Sequence, residues 1–272
     1  MLQAAIVIAV LSMAGLSVGR AAESPAESAN SMVPPNSVSG YLSAPARLNS
    51  VALVPEPPTA GTPAMARDED VSRSALEMHG TQRWEQAIRD AELTFPSIAE
   101  GFSCALNVSI SDERTPRLMT LLRRTRVDAG RSTSEAKQRY QRQRPFMING
   151  KPMCTPDREA ALRADGSYPS GHGAIGWAFG LVLSELAPER ANELLARGRD
   201  FGQSRLVCNV HWQSDVLEGQ MMGAAVVARL HAEPAFRGDM EAARAELEAV
   251  RTRAVMNPDS CKHETEALQS WR

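Results

Sequence analysis

The residues best suited to chemistry lie close together between Ser204 and Asp215. Within this stretch Arg205 is followed by His211 and then, four residues later, by Asp215. An arginine offers a planar fork of donors that suits a phosphate group. A carboxylate four residues from a histidine, on a helix or turn, can bind one ring nitrogen and leave the other free to attack. Such a pair alone is more often a core histidine beside a carboxylate, so further residues are needed to indicate catalysis.

A second stretch, Pro169-Ser170-Gly171-His172, is a tight turn that leads into an apolar segment. Backbone N–H groups at the start of a helix bind anions, and the helix dipole favours negative charge there. Gly171 would let the backbone approach a ligand closely. The alternative is an ordinary capped loop with His172 on the surface.

A third stretch contains Lys137 and, seven residues later, Arg144-Pro145. If the segment is one helix, a spacing of seven returns to nearly the same face, about 10 Å further along the axis. Lys137 and Arg144 would then face one cavity, with Arg139 and Arg142 on other faces. Taken alone, these cations are more typical of a solvated basic helix face.

Together the three stretches resemble the signature of the type 2 phosphatidic acid phosphatase superfamily, in the family's order and with fitting gaps. That superfamily includes bacterial class A non-specific acid phosphatases, lipid phosphatases and vanadium haloperoxidases. Residues 166–172, residues 210–215 and Arg83-Trp84 are similar to the secreted class A phosphatases in particular. The resemblance covers about residues 50–255. The chain has Gly173 where the family usually has threonine, a difference that removes no catalytic group.

The resemblance implies a role for each signature residue. His211 would attack phosphorus, Asp215 would orient it, and His172 would donate a proton to the leaving alkoxide. The phosphoryl oxygens would be held by Lys137, Arg144, Ser170, the N–H of Gly171, and Arg205. Neither a metal nor another cofactor is implied. The leading hypothesis is therefore an acid phosphatase that hydrolyses phosphate monoesters through a phosphohistidine intermediate.

Several alternatives use the same residues. An apyrase-like enzyme for nucleoside di- and triphosphates would share every catalytic group. A vanadium haloperoxidase would use the same pocket for vanadate, but members of that class are generally much larger. A lipid phosphatase would be expected to carry several membrane spans. A non-catalytic phosphate-binding module would not need both His172 and His211 with Asp215.

Composition limits the fold and the partners. The chain has 272 residues, enough for one large domain, and 43% hydrophobic residues, enough for a sizeable core. Its net charge of −2 gives no basic field to attract nucleic acid. We therefore expect small phosphate esters, with nucleotides as an open alternative, and no nucleic-acid partner. Homo-oligomerisation is left open.

The chain divides into four segments by composition. Residues 4–18 form an uncharged, mostly apolar run followed by small residues, which predicts a signal peptide over 1–22 and a periplasmic location. A segment rich in Pro, Ser and Ala follows over 23–65, then a domain over 66–256 and a polar tail over 257–272. The resemblance implies that the domain is an acid phosphatase domain. No segment after the signal peptide is long enough to span a membrane.

The spacing of apolar residues predicts helices almost throughout the domain. Strand patterns are scarce, so the fold class is all-α, a single multi-helix domain. The resemblance implies that this domain is of the acid phosphatase/vanadium-dependent haloperoxidase type. Only Val51–Val54 is predicted to be extended. The predicted helical segments are 68–101 as far as Pro96, 97–107, 115–127, 134–144, 173–186, 188–203, 215–231 and 234–255.

The four cysteines predict two disulfides, because the protein is expected to be exported. Their spacings do not match a zinc site. Four cysteines allow three connectivities, and the sequence does not choose among them. Our working prediction pairs Cys104 with Cys154 and Cys208 with Cys261. A disulfide at Cys208, three residues before His211, would brace the loop of the nucleophile.

Overall fold

The computed structural model describes residues 38–251 and 256–271, which belong to one compact unit. Within these ranges every regular element is a helix, which confirms the all-α prediction. No helix there combines the length and the apolar character needed to cross a membrane. The predicted signal peptide lies outside the described residues. The α-helices are α1 (Ser50–Leu53), α2 (Pro63–Leu76), α3 (Gln82–Asp90), α4 (Ser97–Glu100), α5 (Ser103–Leu106), α6 (Pro116–Arg131), α7 (Ser134–Tyr140), α8 (Pro145–Asn149), α9 (Glu159–Ala164), α10 (Gly171–Leu186), α11 (Ala191–Val207), α12 (Gln213–Leu230), α13 (Pro234–Val250) and α14 (Pro258–Gln269), with short 3₁₀ turns at Ala44–Ala46, Pro156–Arg158 and Pro188–Arg190.

Helix α10 lies at the centre of the fold. Its sequence carries no Asp, Glu, Lys or Arg before Glu185 and is apolar on all sides, which is the pattern of a buried helix. Helices α6, α11 and α12 pack around it. Beside it the ring of Phe102 lies 5.7 Å from that of Phe179 and 6.0 Å from that of Phe201. Truncating one of these buried rings to alanine should cost about 3–5 kcal/mol.

Two glycines allow the helices next to α10 to approach its backbone. A Cβ on Gly198 of α11 would lie 2.8 Å from the carbonyl oxygen of Gly176, closer than real Cβ contacts. A Cβ on Gly219 of α12 would collide with the carbonyl oxygen of Ser170. The second contact places α12 directly against the turn that begins α10, and both elements carry predicted site residues.

The segment predicted as one helix over 134–144 is shorter than expected. Helix α7 ends at Tyr140, and Gln141 takes a left-handed backbone conformation with φ 44°. Arg144 is extended, with φ −81° and ψ 154°, because a residue before proline is disfavoured in the helical region. Pro145 then begins α8. The prediction that Lys137 and Arg144 share one helix face was therefore wrong.

Other boundaries differ for local reasons. The pattern over 68–101 is divided between α2 and α3 by a turn at Gly80, where φ is 76°. The segment 97–107 forms two short helices, α4 and α5, rather than one. The stretch predicted to be extended at 51–54 is largely helical in α1, because the Asn49 side chain accepts the N–H of Ala52 and caps it.

The disulfide pairing that we predicted was wrong. Cys104 bonds to Cys261, and Cys154 bonds to Cys208. The first bond joins α5 to α14, a helix formed within the polar carboxyl-terminal segment. The second closes a loop with a sequence separation of 54 and stabilises the fold by on the order of 4 kcal/mol in the chain-entropy picture. It joins the region after Arg144 to the end of α11.

Candidate active site

The start of α12 and the turn before α10 form one joined unit. Asp215 is the third residue of α12, and its Oδ2 accepts the N–H of Trp212 at 2.8 Å, which is the carboxylate half of a capping box. The carbonyl oxygen of Asp215 accepts the N–H of Ser170 at 2.8 Å. Ser170 itself caps α10, because its Oγ accepts the N–H of Gly173 at 3.1 Å. The positions of Asp215, Ser170 and Gly171 are thus fixed relative to each other.

The imidazole of His211 is buried, and its two ring nitrogens face different groups. Nδ1 lies 3.2 Å from Oδ2 of Asp215 and 3.2 Å from Oγ of Ser167. The Ser167 hydroxyl donates a short hydrogen bond to Asp215, so its oxygen can accept the Nδ1–H. Nε2 lies 3.0 Å from Nη1 of Arg144, which can only donate. These contacts favour the tautomer with the proton on Nδ1 and the lone pair on Nε2.

Lys137 and Arg144 meet at the carboxylate of Asp165, although they do not share a helix. Oδ2 of Asp165 lies 2.8 Å from Nζ of Lys137 and 3.0 Å from Nη2 of Arg144. Arg144 also donates to the carbonyl oxygens of Leu162 at 2.8 Å and Val210 at 2.9 Å. These partners hold Arg144 against His211, and the charge of Lys137 also acts on that ring.

Arg205, in the last turn of α11, is a buried cation with few protein partners. Its side chain is 2% exposed, and its Nη1 lies 3.5 Å from Sγ of Cys208. Its Nε has no hydrogen-bond partner in the part of the chain that the structure describes. A buried guanidinium with such weak contacts is costly unless an anion completes its hydrogen bonds. Arg205 is therefore well suited to bind an anionic ligand.

His172, the second residue of α10, has fewer polar contacts than His211. Its Nε2 lies 3.1 Å from the carbonyl oxygen of Ala91, so this nitrogen carries a proton. Its ring stacks on Phe201 with centroids 6.0 Å apart and planes 21° from parallel. Nδ1 is then the nitrogen that can gain or lose a proton.

Burial and the surrounding cations lower the pKa of both histidines. For His211 the main cause is burial, followed by Arg144 and Lys137. For His172 it is burial, followed by Arg205. Both imidazoles are therefore favoured in the neutral form, as a nucleophile requires. A bound phosphate dianion would oppose these cations and raise the pKa of both rings.

Comparisons with known proteins show the family to which the chain belongs. A profile of the PAP2 superfamily matches residues 125–237. An acid phosphatase of Zymomonas mobilis is 40% identical over 78% of this chain and 80% of its own length. Non-specific acid phosphatases of Providencia stuartii and Salmonella typhimurium are 39% and 41% identical, over 76% and 74% of this chain and 84% and 80% of their own lengths.

The chain is a class A bacterial acid phosphatase of the PAP2 superfamily. Direct contacts join Ser170 to Asp215, Asp215 to His211, and His211 to Arg144. The charges of Lys137 and Arg205 act on His211, and that of Arg205 acts on His172. Eight site residues were predicted from the sequence. They are Lys137, Arg144, Ser170, Gly171, His172, Arg205, His211 and Asp215.

Several further residues of the phosphatase contact the predicted site residues, although they were not predicted as site residues from the sequence. Ser167 and Asp165 lie in the stretch just before the Pro169–His172 turn, so their position was a usable signal. Arg142 was placed on another helix face, yet its Nη1 lies 2.6 Å from Oδ1 of Asp215. Asp68, which pairs with Arg142 at 2.7 Å, is far from the signature in sequence and gave no signal.

Proposed function

We propose that this phosphatase hydrolyses phosphate monoesters through a covalent phosphohistidine on His211. The observation that carries the proposal is that the two nitrogens of the His211 ring face groups of opposite charge. Its Nδ1 faces the carboxylate of Asp215, and its Nε2 faces Arg144 at 3.0 Å. The lone pair of Nε2 is thus directed toward the cations that suit a phosphoryl group.

Substrate binding would use the cations together with the start of α10. The phosphoryl oxygens would replace Nε2 as acceptor for Arg144 and complete the hydrogen bonds of Arg205. Lys137, Ser170 and the N–H of Gly171 would hold the remaining oxygens at the helix N-terminus. The bound charge is then offset before the reaction begins.

In the first step Nε2 of His211 would form a bond to phosphorus as the bond to the ester oxygen breaks. His172 would donate a proton to the leaving alkoxide. Asp215 would stabilise the positive charge that develops on the ring of His211. In the second step water would attack the phosphohistidine, His172 would accept its proton, and phosphate would be released.

The proposed compartment is the periplasm. Two disulfides support export, since such bonds persist in oxidising compartments. The apolar run at residues 4–18 supports the same route through a signal peptide. Sequencing the amino terminus of protein recovered from the periplasm should find a start near residue 23, and an intact Met1 would contradict the proposal.

The decisive experiment is isolation of the phosphoenzyme. Enzyme mixed with a ³²P-labelled monoester and denatured in alkali should retain label that brief acid treatment releases, as expected for a nitrogen–phosphorus bond. His211→Ala should retain none and lose about 10⁴-fold or more in kcat. His231→Ala, which changes an exposed histidine paired with Glu185, is the matched control and should behave as wild type.

Absence of alkali-stable label from active wild-type enzyme would contradict the mechanism, as would near-normal turnover by folded His211→Ala. The same preparation should be assayed on ADP, ATP and simple monoesters. Faster turnover of the nucleotides would favour an apyrase-like activity for the same site.

A further inference from the structure

Besides His211, Asp215 has a charged partner that the proposed reaction does not use. Its Oδ2 contacts His211, whereas its Oδ1 lies 2.6 Å from Nη1 of Arg142. Nη2 of the same guanidinium lies 2.7 Å from Oδ2 of Asp68, on α2. Four groups therefore form a chain of contacts, His211 to Asp215 to Arg142 to Asp68, with charges that alternate beyond the imidazole.

This chain is shielded from water. The side chains of Asp215, Arg142 and Asp68 are 0%, 9% and 3% exposed. Buried charge pairs are only weakly screened by salt, and removing one partner leaves an uncompensated charge. A surface ion pair would contribute little, but this one constrains the carboxylate that contacts the nucleophile.

Asp68 is attached to the start of α12 as well as to Arg142. Its Oδ1 accepts the N–H of Ser214 at 2.8 Å, and its Oδ2 accepts the Ser214 hydroxyl at 2.6 Å. Arg142 donates to the same hydroxyl at 2.7 Å. Asp68 thus satisfies a backbone donor in the first turn of the helix that carries Asp215, from 146 residues away in sequence.

Without Arg142, the remaining charged neighbours of Asp215 would determine how its carboxylate is oriented. Burial lowers the pKa of both Lys137 and Arg144, and the negative charge of Asp215 partly opposes that shift, so Asp215 attracts these cations as well. Its Oδ1 would also become a buried acceptor without a charged donor. Rotation of the carboxylate would then weaken its contact with Nδ1 of His211.

We propose that Arg142 and Asp68 are positioning residues for the nucleophile. Arg142 holds Oδ1 of Asp215, so that Oδ2 stays on Nδ1 of His211 and the lone pair stays on Nε2. Asp68 fixes Arg142 and offsets its charge, so that Asp215 still attracts the imidazolium that forms. The inference rests on the proposed function, because it assumes that His211 attacks phosphorus.

The test combines kinetics with the state of the His211 ring in the full mature enzyme. Arg142→Met should lower kcat by about 10- to 100-fold, with KM changed by about twofold or less, because orientation rather than phosphate binding is lost. Arg142→Lys keeps the charge but not the fork, so it should recover part of kcat. Asp68→Asn should lower kcat a few-fold in the same direction.

Long-range ¹⁵N–¹H spectra of the five histidines report the ring tautomers directly. The signal that His211→Ala removes should show an Nδ1–H tautomer in wild type and a mixture in Arg142→Met. Arg124→Met is the matched control, because it removes another arginine–carboxylate pair, with Asp239 at 3.0 Å, away from the site. That variant should keep the wild-type tautomer and kcat.

A folded Arg142→Met that keeps wild-type kcat, loses only in KM, or keeps the wild-type tautomer overturns the inference. If Arg142→Met does not fold, Asp68→Asn decides the question, and wild-type values in that variant overturn it. Failure of the proposed function is seen separately, as absence of phosphoenzyme in wild type.

Discussion

His211 and His172 lie in the same site, yet their rings are held by different kinds of contact. His211 has polar partners at both nitrogens, including a carboxylate at 3.2 Å and a guanidinium at 3.0 Å. His172 has one carbonyl oxygen at 3.1 Å and an aromatic ring stacked against it. One ring is fixed in its tautomer, and the other keeps a nitrogen available for proton exchange.

This difference matches what the two steps of the proposed reaction would require. A nucleophile must present its lone pair in one direction, and the contacts of His211 with Asp215 and Arg144 would favour the single tautomer that does so. A general acid must gain and lose a proton in each cycle, so the apolar stacking of His172 on Phe201 orients the ring without fixing its charge. The comparison predicts that substitutions at the two rings have distinct kinetic effects.

Among the substitutions that test the difference between His211 and His172, the largest effect is expected from His172→Ala. For alkyl phosphates, whose leaving alkoxide needs a proton, kcat/KM should fall about 10²- to 10⁴-fold, because kcat/KM reports the steps up to formation of the phosphohistidine. For nitrophenyl phosphate the loss in kcat/KM should be much smaller, because nitrophenolate leaves without protonation. Steady-state assays with both substrates measure the ratio. Equal losses for the two substrates would show that His172 is not the acid.

A second expected effect is on the pH profile. Burial and Arg205 hold the pKa of His172 below its ordinary value, so its protonated form is lost as the pH rises through that lowered pKa. On the basic side, kcat/KM for alkyl phosphates should therefore fall about tenfold per pH unit. The corresponding fall in kcat should occur at higher pH, because a bound phosphate raises the pKa of His172.

The pH profiles of wild type and His172→Ala on nitrophenyl phosphate provide the control, since the ionisation of this substrate is the same for both enzymes. A basic limb that persists unchanged in this variant would assign the titration to another group.

The contacts of His211 with Asp215 and of Ser170 with α10 could be predicted from sequence, because each is made between residues close together in the chain. Asp215 follows His211 by four residues at the start of α12, and Ser170 caps α10 two residues before His172. The all-helical fold followed from apolar spacing for the same local reason.

Features that depend on distant contacts could not be predicted in this way. The cations Lys137 and Arg144 were expected on one helix face, but Gln141 and Pro145 end that helix, and Asp165 brings the two together. The cysteine pairing depends on where α14 packs, which four isolated positions do not reveal. Asp68 reaches Arg142 only through tertiary folding.

The smallest expected effect in the comparison concerns Ser167, whose hydroxyl contacts His211 and Asp215. Ser167→Ala removes one acceptor for Nδ1 of His211 and one donor to Asp215, while the direct contact between His211 and Asp215 remains. We expect kcat to fall about fivefold, equivalent to roughly 1 kcal/mol, with the same loss for alkyl and nitrophenyl phosphates. Ser184→Ala, which removes a hydroxyl from α10 far along the helix, is the control.

A loss in Ser167→Ala that depends on the leaving group, as predicted for His172→Ala, would contradict the separation of the two histidines. An equal loss for both leaving groups, with an unchanged pH limb, would instead show that Ser167 acts through His211 alone. The tautomer of one ring and the protonation of the other would then be controlled by different parts of the same site.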